Sequence, residues 1–446
     1  MKKLITFLIL IAAIANAETL KGKAAMTGWR SDKPGVRRML TAQDQPPVTK
    51  PTYGRANVVP MPNGAKLQVP QGFSVQLLTN EIRKPRVIRV APNGDLFVAE
   101  SMNNAVHVLR LDSTGTKVAT HEVFLNGLHQ PYGIAFYPQG PNPQWIYIAN
   151  SNSVIRIPYQ NGDLKARTKP VTLVDEIPST HHYGRDLVFS PDGGRIFVSV
   201  GSGSNVAEEM FPEPHLSNYP QPHDVKGLTA WIKEKPLGAA WDGEEIRADV
   251  LSFDSNGKDM KILATGLRNC QGMSLQPATK QLWCVVNERD EIGDDTPFEY
   301  ATHVKEGAFY GWPWYYIGSN EDPRHAGKRP DLKGKVTIPD ILMQAHSAPL
   351  QITFYNGDNF PAEYKGSAFV AMHGSWNRSE RTGYKVVRLL FDNNGKPTGE
   401  YEDFLTGFVI SDQQVWGRPV GVAVAKDGSL LVSEDGNGTI WRVSYK

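Results

Sequence analysis

The sequence predicts an all-β chain, a six-bladed β-propeller whose ring is closed by pairing of its N- and C-terminal strands. Three observations carry that reading. One unit recurs six times over about 370 residues: a short β-rich run, a turn of Pro, Asp, Asn or Gly, and a second β-rich run. Turn formers are plentiful, with 41 Gly and 32 Pro among 446 residues. Strong helical periodicity is missing apart from a short stretch at 228–235. A β-sandwich is the competing fold. Spacings that vary over about 50 to 90 residues suit blades with long loops better.

The chain opens with Met1, Lys2 and Lys3, an apolar run over 4–14, and Ala15-Asn16-Ala17. A basic start, an apolar centre and an A-x-A site form an export signal, with cleavage expected after Ala17. The run is too short to span a bilayer, so no stable membrane anchor is expected. No Cys follows the cleavage site, which argues against a lipoprotein. Residues 18–65 are polar and Pro-rich, and read as a loosely structured lead-in or an arm on the domain surface. The propeller is assigned to 66–446.

Its six units pair 87–90 with 95–99, 133–137 with 145–149, 187–190 with 195–200, 273–275 with 282–286, 351–355 with 367–372, and 420–425 with 429–433. The last run, 439–445, is expected to pair with the first ordered one, 73–78. The longest departure from the pattern, 203–248, holds His215, His223, Trp231 and Trp241. Long loops at one rim are where a pocket is built.

Charge excludes one class of function. The 48 Lys and Arg include Lys2 and Lys3, so the chain after Ala17 balances its 46 acidic residues. A nucleic-acid binder would carry a basic excess. Cys270 and Cys284 flank a predicted hairpin in a chain bound for an oxidising compartment, and both a disulfide and two buried thiols remain open. No CxxCH is present, which excludes covalent c-type haem.

Several polar constellations precede or follow the predicted strands. Thr180-His181-His182-Tyr183-Gly184-Arg185-Asp186 offers a base and a cation to one pocket. Arg268 and Asn269 offer a guanidinium fork and an amide for carbonyl or carboxylate oxygens. Asn287-Glu288-Arg289-Asp290-Glu291 and the following Asp294-Asp295 suit a hard cation such as calcium, without EF-hand spacing. Phe309-Tyr310-Gly311-Trp312-Pro313-Trp314-Tyr315-Tyr316 places six aromatics in eight positions, able to stack on a flat ring or to fill a core. His346, His373, Arg378 and Arg418 lie beside strands of the fifth and sixth units. Convergence of such groups at one rim is the signal, more than any one motif.

In this order, the segments resemble the PQQ-dependent sugar dehydrogenases of the soluble glucose dehydrogenase type. The L-sorbosone dehydrogenase-like branch looks nearest, and the segments are also similar to fungal PQQ-dependent pyranose dehydrogenases. The resemblance runs from about Gly72 to the C-terminus and leaves out 18–65 and 203–248. It implies a propeller with PQQ and calcium at the top of the channel.

By that resemblance His182 matches the catalytic base, and His181 its neighbour on the substrate side. Arg268 and Asn269 match the pair that contacts the quinone oxygens, with Arg268 also catalytic. The stretch around Glu288 and Arg289 matches the loop whose carbonyls ligate calcium, with Asp290 and Glu291 bracing it or serving a second ion. Arg418 resembles an arginine that pairs with cofactor carboxylates. Gln130 resembles a sugar-contacting Gln, and Trp312 is taken as a substrate contact. The departures are His373 or Arg378 where the family has a Lys, His346 where it has a Thr, and Arg185 beside the base.

The implied activity is hydride transfer from a sugar, polyol or aldehyde to the quinone, with a quinone or haem protein as electron acceptor. Two alternatives stand beside it: a calcium-dependent lactonase or esterase on the same architecture, and a non-catalytic propeller that binds a partner.

Overall fold

The computed structural model describes residues 18–208, 210 and 235–446. The expected leader at 1–17 lies outside the described residues, as do His215, His223, Trp231 and nearly all of the stretch 228–235. Among the described residues there are strands and short 3-10 turns but no α-helix.

Each of the six strand–turn–strand units is the start of a separate antiparallel sheet, built around four strands. The first strands are Ile88–Val90, Gly133–Tyr137, Leu187–Phe189, Cys270–Leu275, Pro349–Phe354 and Pro419–Val424. The second strands include Leu96–Glu100, Ile-rich Trp145–Ala149 and Leu430–Glu434, buried along most of their length on both faces. Such runs need apolar neighbours above and below, which adjacent sheets supply. The sixth sheet is completed from the other end of the sequence. Its third strand, Thr439–Tyr445, pairs antiparallel with Phe73–Thr79, matching Tyr445 to Phe73 and Ile440 to Thr79. The expected pairing of terminal strands is present.

Segments of all six first strands, from Ile88, Ile134 and Leu187 round to Val422, line one mostly apolar cavity of about 490 Å³. Pro92, Gln139 and Asn356, which follow first strands, also line it, so it opens at the end where those strands finish. A polar plug closes it from the other end. The buried Asp186 carboxylate accepts from Arg89 (2.8 Å), the Met273 N–H (2.7 Å) and Gln351 (3.2 Å), while the Tyr132 hydroxyl donates to the Leu350 carbonyl at 3.0 Å. Residues within or directly before the first strands of five sheets meet there.

Of the two expectations for residues 18–65, a loosely structured lead-in or an arm on the domain surface, the structure shows the arm. Leu20–Lys21 pairs with Arg37–Met39, which joins the outer edge of the fifth sheet at Pro397–Leu405. Arg38 is fully buried between Asp403 (2.8 Å) and Asp32 (2.9 Å), and Lys385 reaches the same two carboxylates. Four charges that satisfy one another let a polar segment pack against the core. Farther on, Asn57–Val58 pairs with Gln414–Val415. Cys270 and Cys284 are joined in a disulfide.

Candidate active site

The polar constellations gather at the end where the first strands begin, across the plug from the cavity. His182 lies in the connection entering Leu187–Phe189. Its Nδ1 is 2.9 Å from the Ser202 carbonyl oxygen and 3.0 Å from Ser202 Oγ. A carbonyl only accepts, so Nδ1–H donates and Nε2 keeps a free lone pair. Burial, then the charge of Arg268 and the neighbouring His181, hold the imidazole well below its usual range. His181 is exposed and meets His182 edge-on, with ring centroids 4.3 Å apart.

Asn269 comes to the same place from the fourth sheet. It is buried, and its Oδ1 has no hydrogen-bond partner. Between them lies Gly201, where a Cβ would stand 2.5 Å from Asn269 Oδ1 and 2.6 Å from the His182 Cβ. Only glycine permits that approach. The Ser202 N–H donates to the Arg268 carbonyl at 2.8 Å and stitches the two connections together.

Arg268 itself is turned toward main-chain oxygen. Nε donates to Asn205 O (2.9 Å), Nη1 to Glu288 O (2.7 Å) and Asn287 O (3.3 Å), and Nη2 to Asn205 Oδ1 (3.0 Å). Asp290 Oδ2 stands 3.8 Å from Nη2. The guanidinium therefore acts on the pocket mainly through its field, which disfavours a second positive charge on His182.

A second group surrounds Asp435. Arg86 (2.8 Å), Arg418 (2.9 Å) and His373 (3.0 Å) all reach its carboxylate. Burial opposes the charge, yet His373, Arg86 and Arg418 hold the Asp435 carboxyl well below the usual carboxylate range. Nε of both Arg86 and Arg418 is buried without a partner. The loop is shaped by Glu434, a buried carboxylate that accepts from the N–H groups of Arg418, Gly436, Asn437 and Thr439 and from the Thr439 hydroxyl. Arg86 also lies over the rings of Tyr132 and Tyr183.

Several expected contacts are redirected. Arg185, expected at the cofactor, is buried and donates to the carbonyls of His182 (2.5 Å), Gly184 (2.9 Å) and Pro178, so it positions the loop that carries the base. His346, also expected there, is buried and donates from Nε2 to the Gly293 carbonyl at 2.8 Å, with Nδ1 3.3 Å from Asp290. Arg378 bonds Asp294 O, Glu380 O, Met26 O and Asp295, tying the acidic loop to the N-terminal arm. Trp312, expected against substrate, packs with Trp241, Phe309 and Trp314, and its indole N–H donates to Asn205 O at 3.0 Å. Arg185 has found carbonyls within its own connection, and the others a carbonyl or an apolar neighbour from a distant segment, which spacing along the chain does not reveal.

The acidic loop is likewise dispersed. Glu288 is buried, and its N–H donates to Glu299 at 2.6 Å; burial pushes its carboxyl up to about 7. Arg289 pairs with Asp322 at 2.8 Å, while Glu291 is exposed on the rim. Asp290 turns its carboxylate toward Arg268. No three His, Cys, Asp or Glu groups converge as a metal site among the described residues. Gln130 stands at the same end in a left-handed conformation, its N–H bonded to Asn104.

Sequence reasoning missed Arg86, Asp435 and Ser202. A signal for Arg86 was present: Arg86, Arg185 and Arg268 each stand two residues before a first strand, and Arg418 one residue before. Aligning the six units on those strands would have added it.

A family model described as TrAA12-like matches residues 67–218 and 326–446. An uncharacterised protein of Borreliella burgdorferi is 28% identical over 395 residues, covering 85% of this chain and 91% of its own length. A pyrroloquinoline quinone-dependent pyranose dehydrogenase of Coprinopsis cinerea is 24% identical over 425 residues, covering 84% of this chain. The match spans 54% of that fungal protein, about half its length. The solved holo form of the Coprinopsis cinerea pyranose dehydrogenase PQQ domain superposes with a TM-score of 0.68 at 22% identity, covering 87% of this chain and all of that one. At that identity the likeness speaks for the fold.

Proposed function

The chain belongs to the TrAA12-like family, and from that membership we propose that it is an exported PQQ-dependent dehydrogenase that oxidises a sugar or a related polyol or aldehyde. In this reading the six sheets are the blades of a propeller, and the pairing of Thr439–Tyr445 with Phe73–Thr79 closes its ring. Export rests on the pattern of Met1 to Ala17; among the described residues no helix is long and apolar enough to cross a membrane. The electron acceptor would be a quinone or a haem protein.

One observation carries the catalytic assignment: an imidazole whose Nδ1 is committed to the Ser202 carbonyl, leaving Nε2 as the acceptor, held beside a buried, unpartnered amide oxygen. The residues fit a planar polycarboxylate. Arg418, Arg86 and His373 would meet its carboxylates, and Asn269, packed beside His182 across Gly201, would meet its ring. When bound, PQQ would supply a two-electron acceptor for the hydride of the substrate carbon. His182 Nε2 takes the hydroxyl proton as the carbonyl forms. Ser202 fixes the tautomer, Arg185 and Arg247 hold the connection that carries the ring, and the Asp186 plug separates the site from the channel below. His181 and Gln130 remain the candidates for substrate contacts.

Calcium fits less well. Of the carbonyls expected around Glu288 and Arg289, that of Glu288 accepts from Arg268, and no three acidic or imidazole groups converge among the described residues, so no step is assigned to a metal. The lactonase alternative lacks a converging ligand set among the described residues.

The test is reconstitution with PQQ and a panel of aldoses, sugar alcohols and aldehydes, followed by dye reduction. His182→Ala is expected to lower kcat by about two to four orders of magnitude while PQQ still binds. Absence of PQQ binding and of PQQ-dependent turnover on the whole panel would overturn the proposal.

A further inference from the structure

At the same end of the molecule as these polar groups, two large aromatic side chains are exposed. Tyr53 is 62% exposed and Trp376 39% exposed, and their rings lie face to face at 6.1 Å with 30° between planes. They come from distant parts of the chain: Tyr53 from the N-terminal arm, Trp376 from the connection after Ala368–Met372.

The pair is built rather than incidental. The Gly54 N–H donates to the Trp376 carbonyl at 2.9 Å, and Asn377 Nδ2 donates to the Thr52 carbonyl at 2.7 Å. Thr52 Oγ1 bonds Asp294. At Gly54 a Cβ would stand 2.5 Å from Arg381 Nη2 and 2.9 Å from the Arg378 carbonyl, so the arm is pressed against this loop. The platform also joins the pocket. Asn377 Oδ1 accepts from the Glu291 N–H at 2.6 Å, the Tyr53 hydroxyl is 3.4 Å from Glu291 Oε1, and the adjoining residue, Asp290, stands beside Arg268.

Exposed rings fixed in one orientation, with a carboxylate and a hydroxyl at their edge, match the chemistry of a pyranose. The apolar C–H face of the sugar covers an aromatic ring, and its equatorial hydroxyls bond the polar edge. A protein partner would be met by a broader patch with an apolar centre. We propose that Tyr53 and Trp376, with Glu291 at their edge, form an outer saccharide subsite that binds a sugar unit beyond the one being oxidised. The preferred substrate is then an oligosaccharide. This rests on the sugar-dehydrogenase reading above and goes further, by naming the substrate's extension.

The experiment compares kcat/KM of the PQQ-loaded protein for a hexose and for its β-linked trisaccharide, in wild type and in Trp376→Ala, Tyr53→Ala and Trp376→Phe. The trisaccharide is expected to be favoured about tenfold, the equivalent of covering one ring face. Both alanine variants should remove that preference and leave hexose turnover unchanged, and Trp376→Phe should keep most of it. Equal kcat/KM for the two sugars in wild type, or a preference that survives both alanine variants, overturns the subsite. So does a variant that slows reduction of a haem-protein acceptor while the preference persists, since the platform would then serve the acceptor. If no sugar is oxidised, the dehydrogenase reading fails separately. Calorimetric titration of the trisaccharide into the cofactor-free protein then decides the subsite: binding lost in Trp376→Ala supports it, and no binding overturns it.

Discussion

His182 Nδ1 is committed to a main-chain carbonyl, and that commitment sets the pH behaviour of the site. Burial and the nearby Arg268 disfavour the imidazolium, so the folded-state pKa lies well below 6.5. A base must be neutral to act, so kcat/KM should stay flat as pH falls through 6.5, with its acid limb at lower pH. The same shift has a cost in stability. Below about pH 6.5 the unfolded chain takes up a proton that the folded site refuses, so His182 favours the fold above that pH and the advantage is lost as pH falls. A pH–rate profile with the fast-reacting substrate checks the first point, and an acid limb centred at or above 6.5 would contradict it.

At the scale of elements, the disulfide holds the two strands that carry the site's fourth-sheet residues. Cys270 directly follows Arg268 and Asn269, and Cys284 lies in Leu282–Val286, just before Asn287 and Glu288. The bridge closes a loop across 14 positions. A loop of that size is worth about 3 kcal/mol in the chain-entropy account. The double variant Cys270→Ala with Cys284→Ala should unfold at correspondingly lower urea, which an equilibrium denaturation series measures. These two strands were legible in the sequence from their apolar runs and the Pro277-Ala278-Thr279-Lys280 turn. The bond between the cysteines was not: a β-bulge between Cys270 and Gly272 shifts the register, and no rule of spacing foretells a bulge.

For the whole molecule, the sixth sheet takes its outer strand from the far end of the sequence. Ile440 and Val443 are fully buried and Trp441 nearly so. Burial of those three side chains contributes roughly 5 kcal/mol or more, comparable to the total stability of many domains. Deleting 439–446 would also leave Phe73–Thr79 without a partner. The truncated chain is expected to lose its cooperative urea transition, and a retained transition at unchanged midpoint would show that the terminal pairing is dispensable.

The sequence by itself determined the six strand–turn–strand units, because alternation, β-branched runs and Pro-Asp-Gly turns are local properties that each segment satisfies alone. It also marked the arginines and histidines that border the first strands. Only the tertiary structure decided which of them face the pocket. Arg418 reaches it, as does Arg86, which sequence reasoning passed over, while Arg185, Arg268 and Arg378 bend to main-chain carbonyls and His346 to Gly293, because a buried donor must find an acceptor, in its own connection for Arg185 and in another segment for the rest. The N-terminal arm shows the same limit. Its polar composition reads as loose chain, yet Arg38 is buried, because Asp403, from more than three hundred residues away, stands ready to pair with it.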